Sequence, residues 1–416
     1  MQSQEATEGQ NNQSQPLCGM RICALVSNNT SIDSRVKKEC AALAEAGAHV
    51  TLIGQAGPDP YPGDISQLPY ELILTQGIKI PEWYARWGRE TVFYPLRVAV
   101  NLSLEPIRRC NFTSTRPWML KAVRGRAFDV VHVNDFDMLT TGAKLAQRSG
   151  ARLVYDSHEI FLADNRLAHV GQKRLEKLRR VEARLLKDCA RVITVNESLA
   201  RYLKDYYDLP EIPSVIYNGG TEVAESTQEA HRPLRILYLG NFAYYYYFPA
   251  MISELARLDR GFELVFQGFG YESQERDMRQ AIIDADLQDV VRIIPPVPTA
   301  DIVKSATGFD VGLCNFDTKI NVSLKMASPN KLFDYLSAGL ALVGSEEAVF
   351  LRTIVDETGC GYLYPDHSSV VDAIDFLQKH PGEVSGMKRR ALVAAPYFSW
   401  DLQKKKLVEL YQSLKR

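Results

Sequence analysis

Short apolar segments alternate with predicted helices in two separate parts of this chain, and this alternation restricts the fold more than any other feature. The first part opens with the apolar run 20–27, a polar loop, a helix over about 34–46 and the run HVTLIG. The second part opens with RILYLG and continues the alternation as far as GYLYP. Strands separated by helices form parallel sheets that helices cover on both faces. The pattern therefore predicts an α/β protein with two doubly wound parallel sheets.

The chain is long enough for two domains, because a single hydrophobic core stops growing at about 250–300 residues. A polar segment without apolar periodicity separates the two alternating parts and is typical of a linker. The first residues are rich in Gln, Asn and Ser and are too polar to bury a core. We therefore predict, in order, a disordered tail, an N-terminal domain, a linker, a C-terminal domain and a closing helix: 1–19, 20–218, 219–232, 233–396 and 397–416.

Composition excludes several classes of function. The net charge of −1 gives no overall field that would attract nucleic acid. The seven cysteines are scattered and include no C-x-x-C pair, which indicates reduced thiols and predicts no metal site. No apolar run is long enough to span a membrane, and no charged-then-apolar leader opens the chain. We expect a cytoplasmic protein.

The stretch 82–126 differs from the rest of the chain because basic residues alternate with aromatic ones. It contains Trp83, Trp87 and Trp118 among many arginines and lysines. Such a mixture suits an anionic membrane surface or an anionic lipid-linked acceptor. The alternative is a solvated basic face over an ordinary core. We therefore keep, as one hypothesis, a peripheral contact between residues 83–126 and the inner face of a membrane.

Polar side chains follow two predicted strands of the first domain. The segment FDVVHVND ends with His132, Asn134 and Asp135, and VYDSHE ends with Asp156, Ser157, His158 and Glu159. Ligands of doubly wound sheets lie beyond the carboxyl ends of the strands, so these residues are candidates for a site. A lone histidine is also a common structural hydrogen-bonding residue. The candidates are His132, Asn134, Asp135, His158 and Glu159.

The segment from Ser328 to Gly344 predicts a short helix followed by a buried strand. Pro329 suits the first turn of a helix, and Ser328 is a candidate for its N-cap. Lys331 and Asp334 are three residues apart and therefore share one face of this helix. The start of a helix attracts phosphate, and a carboxylate one turn further along accepts hydrogen bonds from sugar hydroxyls. Spacing alone is equally compatible with an ordinary surface ion pair.

Several of these segments resemble the retaining family 4 glycosyltransferases. SPNKLFDYLSAGLALVG is similar to the donor-site helix of that family, with Asp334 at the position of its ribose-binding glutamate. The loop motif D-x-R-V-x-K-E, the segments DVVHVND and VYDSHE, and the closing helix after FSW are similar to other parts of the family. The resemblance extends over about 20–415. It implies the GT-B fold, in which two Rossmann-like domains face a ligand cleft and the closing helix crosses back to the first domain.

The resemblance implies a retaining, metal-independent hexosyltransferase for cell-surface polysaccharide or glycoconjugate synthesis. Its co-substrate is a nucleotide sugar, with UDP or GDP as the expected nucleotide, its acceptor is a glycan or a lipid-linked molecule, and it uses no cofactor. The residues implied as catalytic are His158, Lys331 and Asp334. Those implied for the donor are Gly240, Asn241, Lys325, Asn330, Lys331 and Asp334. Those on the acceptor side are Asp33, Arg35, His132, Asn134, Asp135 and Glu159. For Asp33 the simpler interpretation is an acid at the start of a helix.

The chain departs from the family pattern in two places. After the strand that matches RILYLG the family carries an arginine and a lysine that bind the pyrophosphate, whereas this chain reads GNFAYYYYF. Met326 stands where the family has a second glutamate. The loss of two cations is expected to cost several kcal/mol of transition-state stabilisation unless other groups replace them. Two alternatives therefore stay open: a non-catalytic GT-B subunit that binds a partner, and a GT-B enzyme with a different donor, such as a sugar phosphate.

Overall fold

The computed structural model describes most of the chain, and most of its gaps lie in the first half. The described residues are 15–31, 33–56, 61, 63–76, 115–163, 167, 170–243 and 246–415. The predicted tail over 1–14, most of the basic and aromatic stretch, and Tyr244 and Tyr245 lie outside them.

Thirteen described strands form two sheets, and all the strand pairs with a described register are parallel. The strands of the first sheet are β1 (Arg21–Leu25), β2 (His49–Gln55), β3 (Glu71–Thr75), β4 (Val130–Asn134), β5 (Arg152–Ser157), β6 (Cys189–Thr194) and β7 (Ser214–Val215). Those of the second are β8 (Leu234–Asn241), β9 (Phe262–Phe269), β10 (Val291–Ile294), β11 (Val311–Cys314), β12 (Ala341–Ser345) and β13 (Gly361–Tyr364).

Both sheets have the strand order of a doubly wound fold. The orders are β3-β2-β1-β4-β5-β6-β7 and β10-β9-β8-β11-β12-β13. In each sheet the chain starts in the middle, builds one edge and then returns to build the other. The order therefore reverses beside β1 and beside β8, and ligands of such sheets bind at that switch point, beyond the carboxyl ends of the strands.

The described α-helices connect these strands or follow them. They are α1 (Ser34–Glu45), α2 (Pro117–Ala122), α3 (Phe136–Ser149), α4 (Gln172–Leu186), α5 (Glu197–Tyr207), α6 (Phe248–Leu255), α7 (Glu272–Asp284), α8 (Ile302–Ala306), α9 (Val322–Lys325), α10 (Asn330–Ser337), α11 (Val349–Thr358), α12 (Val370–Lys379), α13 (Pro381–Ala394) and α14 (Trp400–Gln412). Short 3-10 turns occupy Ile65–Gln67, Phe161–Ala163, Thr299–Asp301, His367–Ser369 and Ala395–Phe398. Within the described ranges no helix combines the length and the apolar character needed to cross a bilayer.

The chain packs as two compact units. The first comprises Met1–His158, Gly171–Ile193 and Lys404–Arg416, and the second comprises Glu159–Val170 and Thr194–Gln403. Residues 194–218, which the sequence analysis gives to the first domain, therefore pack with the second unit. The last residues of the chain pack with the first unit, as the resemblance implies for the closing helix. The division of the chain into independently folding domains stays a prediction.

Apolar side chains point to both faces of the second sheet, so each face packs in a hydrophobic cluster. Ile236 and Tyr238 of β8 pack in one hydrophobic cluster, while Leu237 and Leu239 pack in another. Successive side chains of a strand point to opposite faces, so a continuous apolar run fits a strand that is buried on both sides. This is the reason that RILYLG was recognisable as a strand from the sequence.

Three local predictions are wrong. The helix predicted with Pro329 in its first turn begins one residue later, because Pro329 itself is extended, with ψ of 138°. Ser328 does not cap this helix, and its buried hydroxyl has no hydrogen-bond partner among the described residues. Residues 15–19, predicted to belong to a disordered tail, form a turn in which Leu17 is fully buried. The Leu17 N–H donates to the carbonyl oxygen of Ala46 at 2.8 Å.

Candidate active site

At the switch point of the first sheet, a side chain at the end of β4 forms a hydrogen bond to the neighbouring strand β1. The Asn134 amide nitrogen donates to the carbonyl oxygen of Leu25 at 3.1 Å, which joins the carboxyl ends of β4 and β1. Asn134 is buried, and its side-chain oxygen has no partner among the described residues. The next residue, Asp135, has a positive φ of 62° and begins the turn into α3. This edge of the sheet is the predicted place for a ligand.

A buried arginine stands at the centre of the polar residues at this edge. Arg35 of α1 donates from Nε and Nη2 to the carboxylate of Asp156 at 2.8–3.0 Å. Its Nη2 also lies 3.0 Å from Oε1 of Glu39, one helical turn further along α1. Arg35, Glu39 and Asp156 are all almost completely buried. A guanidinium shared by two buried carboxylates is a strong, geometrically fixed ion pair.

His158 lies between two carboxylates. Its Nδ1 is 3.3 Å from Asp135 Oδ2, and its Nε2 is 3.2 Å from Asp156 Oδ2. Burial disfavours the charged ring, but attraction to Asp135 and Asp156 and hydrogen bonds to them outweigh this effect. The pKa of His158 is therefore held well above its ordinary value. At neutral pH this side chain is an imidazolium.

His132 has the opposite character. Burial lowers the pKa of its ring to about 4, so it is neutral at physiological pH. Its Nδ1 lies 2.5 Å from the hydroxyl of Tyr411 on α14, and its Nε2 lies 3.6 Å from Glu39. Burial also raises the pKa of the Glu39 carboxyl, which keeps a proton more readily than an exposed glutamate. The neutral His132 ring and a protonated Glu39 carboxyl together add no charge to the cluster.

Three residues of this cluster have the composition of a metal site. Glu39, His132 and Asp156 each offer a ligand atom, and these atoms lie within 4.8 Å of one another. However, the guanidinium of Arg35 already bonds both carboxylates. A divalent cation would have to share the two carboxylates with this fixed positive charge. The residues fit an ion-pair network centred on arginine better than a metal site.

The second unit carries its candidate residues at the carboxyl end of β8. The ammonium of Lys331 lies 3.7 Å from the centre of the Tyr238 ring and 5.3 Å from that of Tyr246. It also lies against Gly240, where an added Cβ would stand 3.6 Å from Nζ. A hydrogen bond of 2.8 Å from the Leu239 N–H to the Tyr335 hydroxyl fixes α10 on β8. The structure therefore brings two predicted donor residues, Gly240 and Lys331, together.

The electrostatic state of Lys331 follows from this environment. Burial lowers its pKa to about 7, and the interactions with Cys314 and Asp334 only partly oppose the shift. The aromatic face of Tyr238 attracts the protonated form. Lys331 thus changes its charge near neutral pH, whereas an exposed lysine stays charged. Tyr246 packs edge-on against Tyr238 and stacks on Phe248, so this tyrosine is part of the aromatic core beneath the site.

The remaining donor candidates surround the start of α10. Asn330 accepts a hydrogen bond of 2.7 Å from the side-chain amide of Asn218. Asn241 follows Gly240 at the end of β8, and its carbonyl oxygen accepts from the hydroxyl of Tyr238 at 2.8 Å. Lys325 is exposed at the end of α9, and Met326, in the position of the family's second glutamate, accepts on its carbonyl oxygen from Asn196 at 2.9 Å. Asp334 lies one turn after Lys331 on α10.

Comparisons with known proteins agree with this architecture. Residues 34–219 match the family described as Glycosyltransferase Family 4. Solved structures match over almost the whole chain, and they are GT-B glycosyltransferases. The chain has the GT-B fold. The fold predicted from the sequence is confirmed, and the resemblance to the glycosyltransferase family is confirmed over residues 34–219.

Three solved structures illustrate the likeness. Sucrose-phosphate synthase from Thermosynechococcus elongatus is 14% identical, with a TM-score of 0.68 over 95% of this chain and 99% of that one. HepE from Anabaena, in complex with UDP and glucose, is 14% identical, with a TM-score of 0.66 over 95% and 100%. TarM from S. aureus, solved with UDP, is 10% identical, with a TM-score of 0.65 over 95% and 99%. No curated protein matches the chain by sequence.

The predicted acceptor-side residues fall into three groups. Arg35, His132, Asp135 and His158 lie in one cluster, joined through Asp156, with Asn134 beside it. Asp33 is the N-cap of α1, where its carboxylate accepts from the Val36 N–H at 3.2 Å, as the simpler interpretation predicted. Glu159 packs with the second unit. The structure leaves the roles of all these residues as predictions.

The sequence analysis missed two members of the cluster, Glu39 and Tyr411. Glu39 ends the motif D-x-R-V-x-K-E and lies four residues after Arg35, a spacing that permits an ion pair on one helix face. Asp156 was noted among the polar residues at the end of a buried strand but was not chosen as a site residue. Tyr411 carried no local signal, because its partner His132 is 279 residues away along the chain.

Proposed function

We propose that this glycosyltransferase moves a hexose from a nucleoside diphosphate sugar to a glycan or lipid-linked acceptor with retention of configuration. The observation that carries the proposal is the position of Lys331, at the carboxyl end of β8 beside Gly240 and one turn before Asp334. HepE and TarM, which share the fold, were solved with UDP. We infer that UDP or GDP is the nucleotide and that the reaction needs neither a metal nor a cofactor.

The group that most needs stabilisation in this reaction is the departing diphosphate. When the glycosidic bond breaks, the diphosphate gains negative charge, and donors aimed at it are the main source of rate. Lys331 would supply positive charge to this group, and Asp334 would accept hydrogen bonds from sugar hydroxyls. In a retaining reaction of this kind the departing phosphate takes the proton of the acceptor, which attacks from the same face. A separate pair of catalytic carboxylates is therefore not required.

Calorimetric titration with UDP, GDP and TDP tests the proposal directly. We expect saturable binding of one nucleotide that is lost in the Asp334→Ala variant. Binding followed by consumption of the matching nucleotide sugar in the presence of an acceptor would identify an enzyme. Failure to bind any of the three would move the non-catalytic GT-B subunit to first place, because GNFAYYYYF lacks the two family cations and Met326 replaces a glutamate. Binding of a sugar phosphate alone would favour the different-donor alternative.

We predict that Lys331→Met weakens nucleotide binding about 10- to 100-fold, since a charge-assisted hydrogen bond contributes about 1.5–3 kcal/mol. The matched control is Lys304→Met, which removes an exposed lysine of α8 in the same unit that has no predicted role in the site. Calorimetry should show a loss for the first variant and little change for the second. Equal affinities of wild type and Lys331→Met would remove Lys331 from the site.

The pH dependence of binding gives a second expectation for the same side chain. The pKa of Lys331 is lowered to about 7, so the free protein loses this charge as the pH rises through neutrality. The bound diphosphate favours the cation, so binding is accompanied by proton uptake. Between about pH 7 and pH 9 the phosphates are already fully ionised, and we expect the affinity of the wild type to fall. Calorimetry should show a flatter profile for Lys331→Met, and parallel profiles would contradict the assignment.

The basic and aromatic stretch suggests how the enzyme would meet a lipid-linked acceptor. We propose a peripheral contact between residues 83–126 and an anionic membrane, on the composition of this stretch alone. Reversing the charges of Arg86, Arg89 and Arg97 is expected to reduce flotation with vesicles that contain anionic lipid, by about 1 kcal/mol for each residue. The control reverses three exposed basic residues of α4: Lys173, Lys177 and Arg180. Equal flotation of the two variants would leave the stretch as a solvated surface.

A further inference from the structure

Both ring nitrogens of His158 face a carboxylate oxygen, at 3.3 Å from Asp135 and 3.2 Å from Asp156. The backbone N–H of His158 also donates to Asp135 at 3.2 Å. A neutral imidazole carries a single N–H and can donate to only one of these carboxylates. Only the doubly protonated ring satisfies both. The geometry at His158 is therefore that of a cation held at two points.

The backbone fixes the distance between the two carboxylates. Asn134 and Asp156 are register partners at the ends of β4 and β5, and the Asp135 N–H donates to the Asp156 carbonyl oxygen at 3.0 Å. Asp135 occupies the N-cap of α3, yet its carboxylate makes no capping bond. An aspartate at this position usually caps its helix. Here the side chain turns to His158 instead.

Asp156 is in turn held by Arg35. The guanidinium of Arg35 contacts both oxygens of the Asp156 carboxylate. This attraction, together with that of His158, outweighs burial and keeps the pKa of Asp156 well below its usual range. The charged and titratable groups around the cluster are Arg35 and Glu39 on α1, His132 on β4, Asp135 before α3, Asp156 on β5 and Tyr411 on α14. Two cations, Arg35 and His158, face two anions, Asp135 and Asp156.

We propose that Asp135, Asp156 and Arg35 are positioning residues that hold His158 as a fixed imidazolium at the carboxyl end of the first sheet. This inference rests on the proposed function and on the family resemblance, which implies that His158 is a catalytic residue. Because both ring N–H groups are engaged and the ring is already protonated, His158 acts as a stationary positive charge. It does not accept a proton in the reaction. The side chain is 19% exposed, so this charge stays accessible to a ligand.

Titration of the histidine side chains by NMR tests the proposal on the full chain without any ligand. The protein has seven histidines, and the His158→Gln variant identifies the signal of His158 by its loss. We expect the wild-type His158 ring to stay doubly protonated well above the ordinary histidine pKa of about 6.5. Asp135→Asn should lower this pKa by about one unit or more, and Asp135→Glu should restore most of it.

The matched control is Asp129→Asn. Asp129 is a half-exposed carboxylate that pairs with Arg21 in the same unit, and its removal should leave the titration of His158 unchanged. If Asp135 had a merely structural role, Asp135→Asn would lower the melting temperature without moving the pKa of His158, and the proposal would fail. A wild-type His158 that titrates near its ordinary value would also overturn it. Since no nucleotide is present, this result is independent of whether the protein binds UDP.

Discussion

Replacing Lys388 with methionine is expected to destabilise the second unit by about 3–5 kcal/mol, which is the effect of breaking a buried ion pair by removal of one partner. The ammonium of Lys388 lies 2.7 Å from Asp310 Oδ1, and the two side chains are 1% and 0% exposed. Methionine preserves most of the buried volume. The loss therefore reflects a carboxylate left in the interior without its cation.

The pH dependence of this effect has a definite sign. Burial opposes ionisation of Asp310, but hydrogen bonds from Lys388, the Arg235 N–H and His231 outweigh it and hold the pKa of the carboxyl below its usual value. In the wild type the stability that depends on this carboxylate is present above about pH 4, the unfolded pKa, and is lost as the pH falls through the lower folded pKa. Without Lys388 the buried carboxyl protonates more easily. The difference between wild type and variant should shrink in acid.

Hydrogen exchange followed on peptides of β8 and β11 measures this change, and peptides of the first sheet are an internal reference. The control is Arg389→Met at the next position of α13, where the partner Glu229 lies 2.7 Å away and both side chains are largely exposed. An exposed pair contributes about 0–1 kcal/mol. The double variant Lys388→Met, Asp310→Asn should recover part of the loss. If Lys388→Met behaved like Arg389→Met, the pair would contribute little.

The strands were predictable because their apolar runs are local signals. Leu237 and Tyr238 are neighbours in the sequence and enter different hydrophobic clusters on the two faces of the second sheet. Any chain that buries a strand on both sides must show such a run. The carboxyl ends of these strands followed directly, which is why Asn134 and His158 were found as candidates.

The partners of the candidate side chains were not predictable, because they depend on contacts between distant segments. Arg35 was predicted to face an acceptor, but it is buried against Asp156, which lies 121 residues further along the chain. Lys331 was predicted as a charged phosphate ligand, but it rests on the ring of Tyr238 with its pKa lowered to about 7. Spacing along a helix shows which residues share a face and does not show what that face touches.

The second large effect on stability is expected at Arg35. Arg35→Met is expected to destabilise the first unit by about 3–5 kcal/mol, since Asp156 would remain fully buried without its bidentate partner. Its carboxylate would keep the contact with His158 and the ring of His132 3.9 Å away, but its pKa would rise without the guanidinium. The loss of stability should therefore be largest at neutral pH and should diminish in acid, where Asp156 of the variant can protonate.

Exchange at peptides of β4 and β5 reports this loss, with the second sheet as the reference. The control is Arg21→Met on β1, which removes a half-exposed arginine whose Nη2 lies 2.7 Å from Asp129 and should cost about 0–1 kcal/mol. The NMR signal of His158 adds a second readout in the same variant. Because Asp156 of the variant stays ionised at neutral pH and protonates only in acid, the His158 ring should remain doubly protonated at neutral pH and lose the attraction of Asp156 only in acid. Full stability of Arg35→Met would show that Asp156 needs no buried cation.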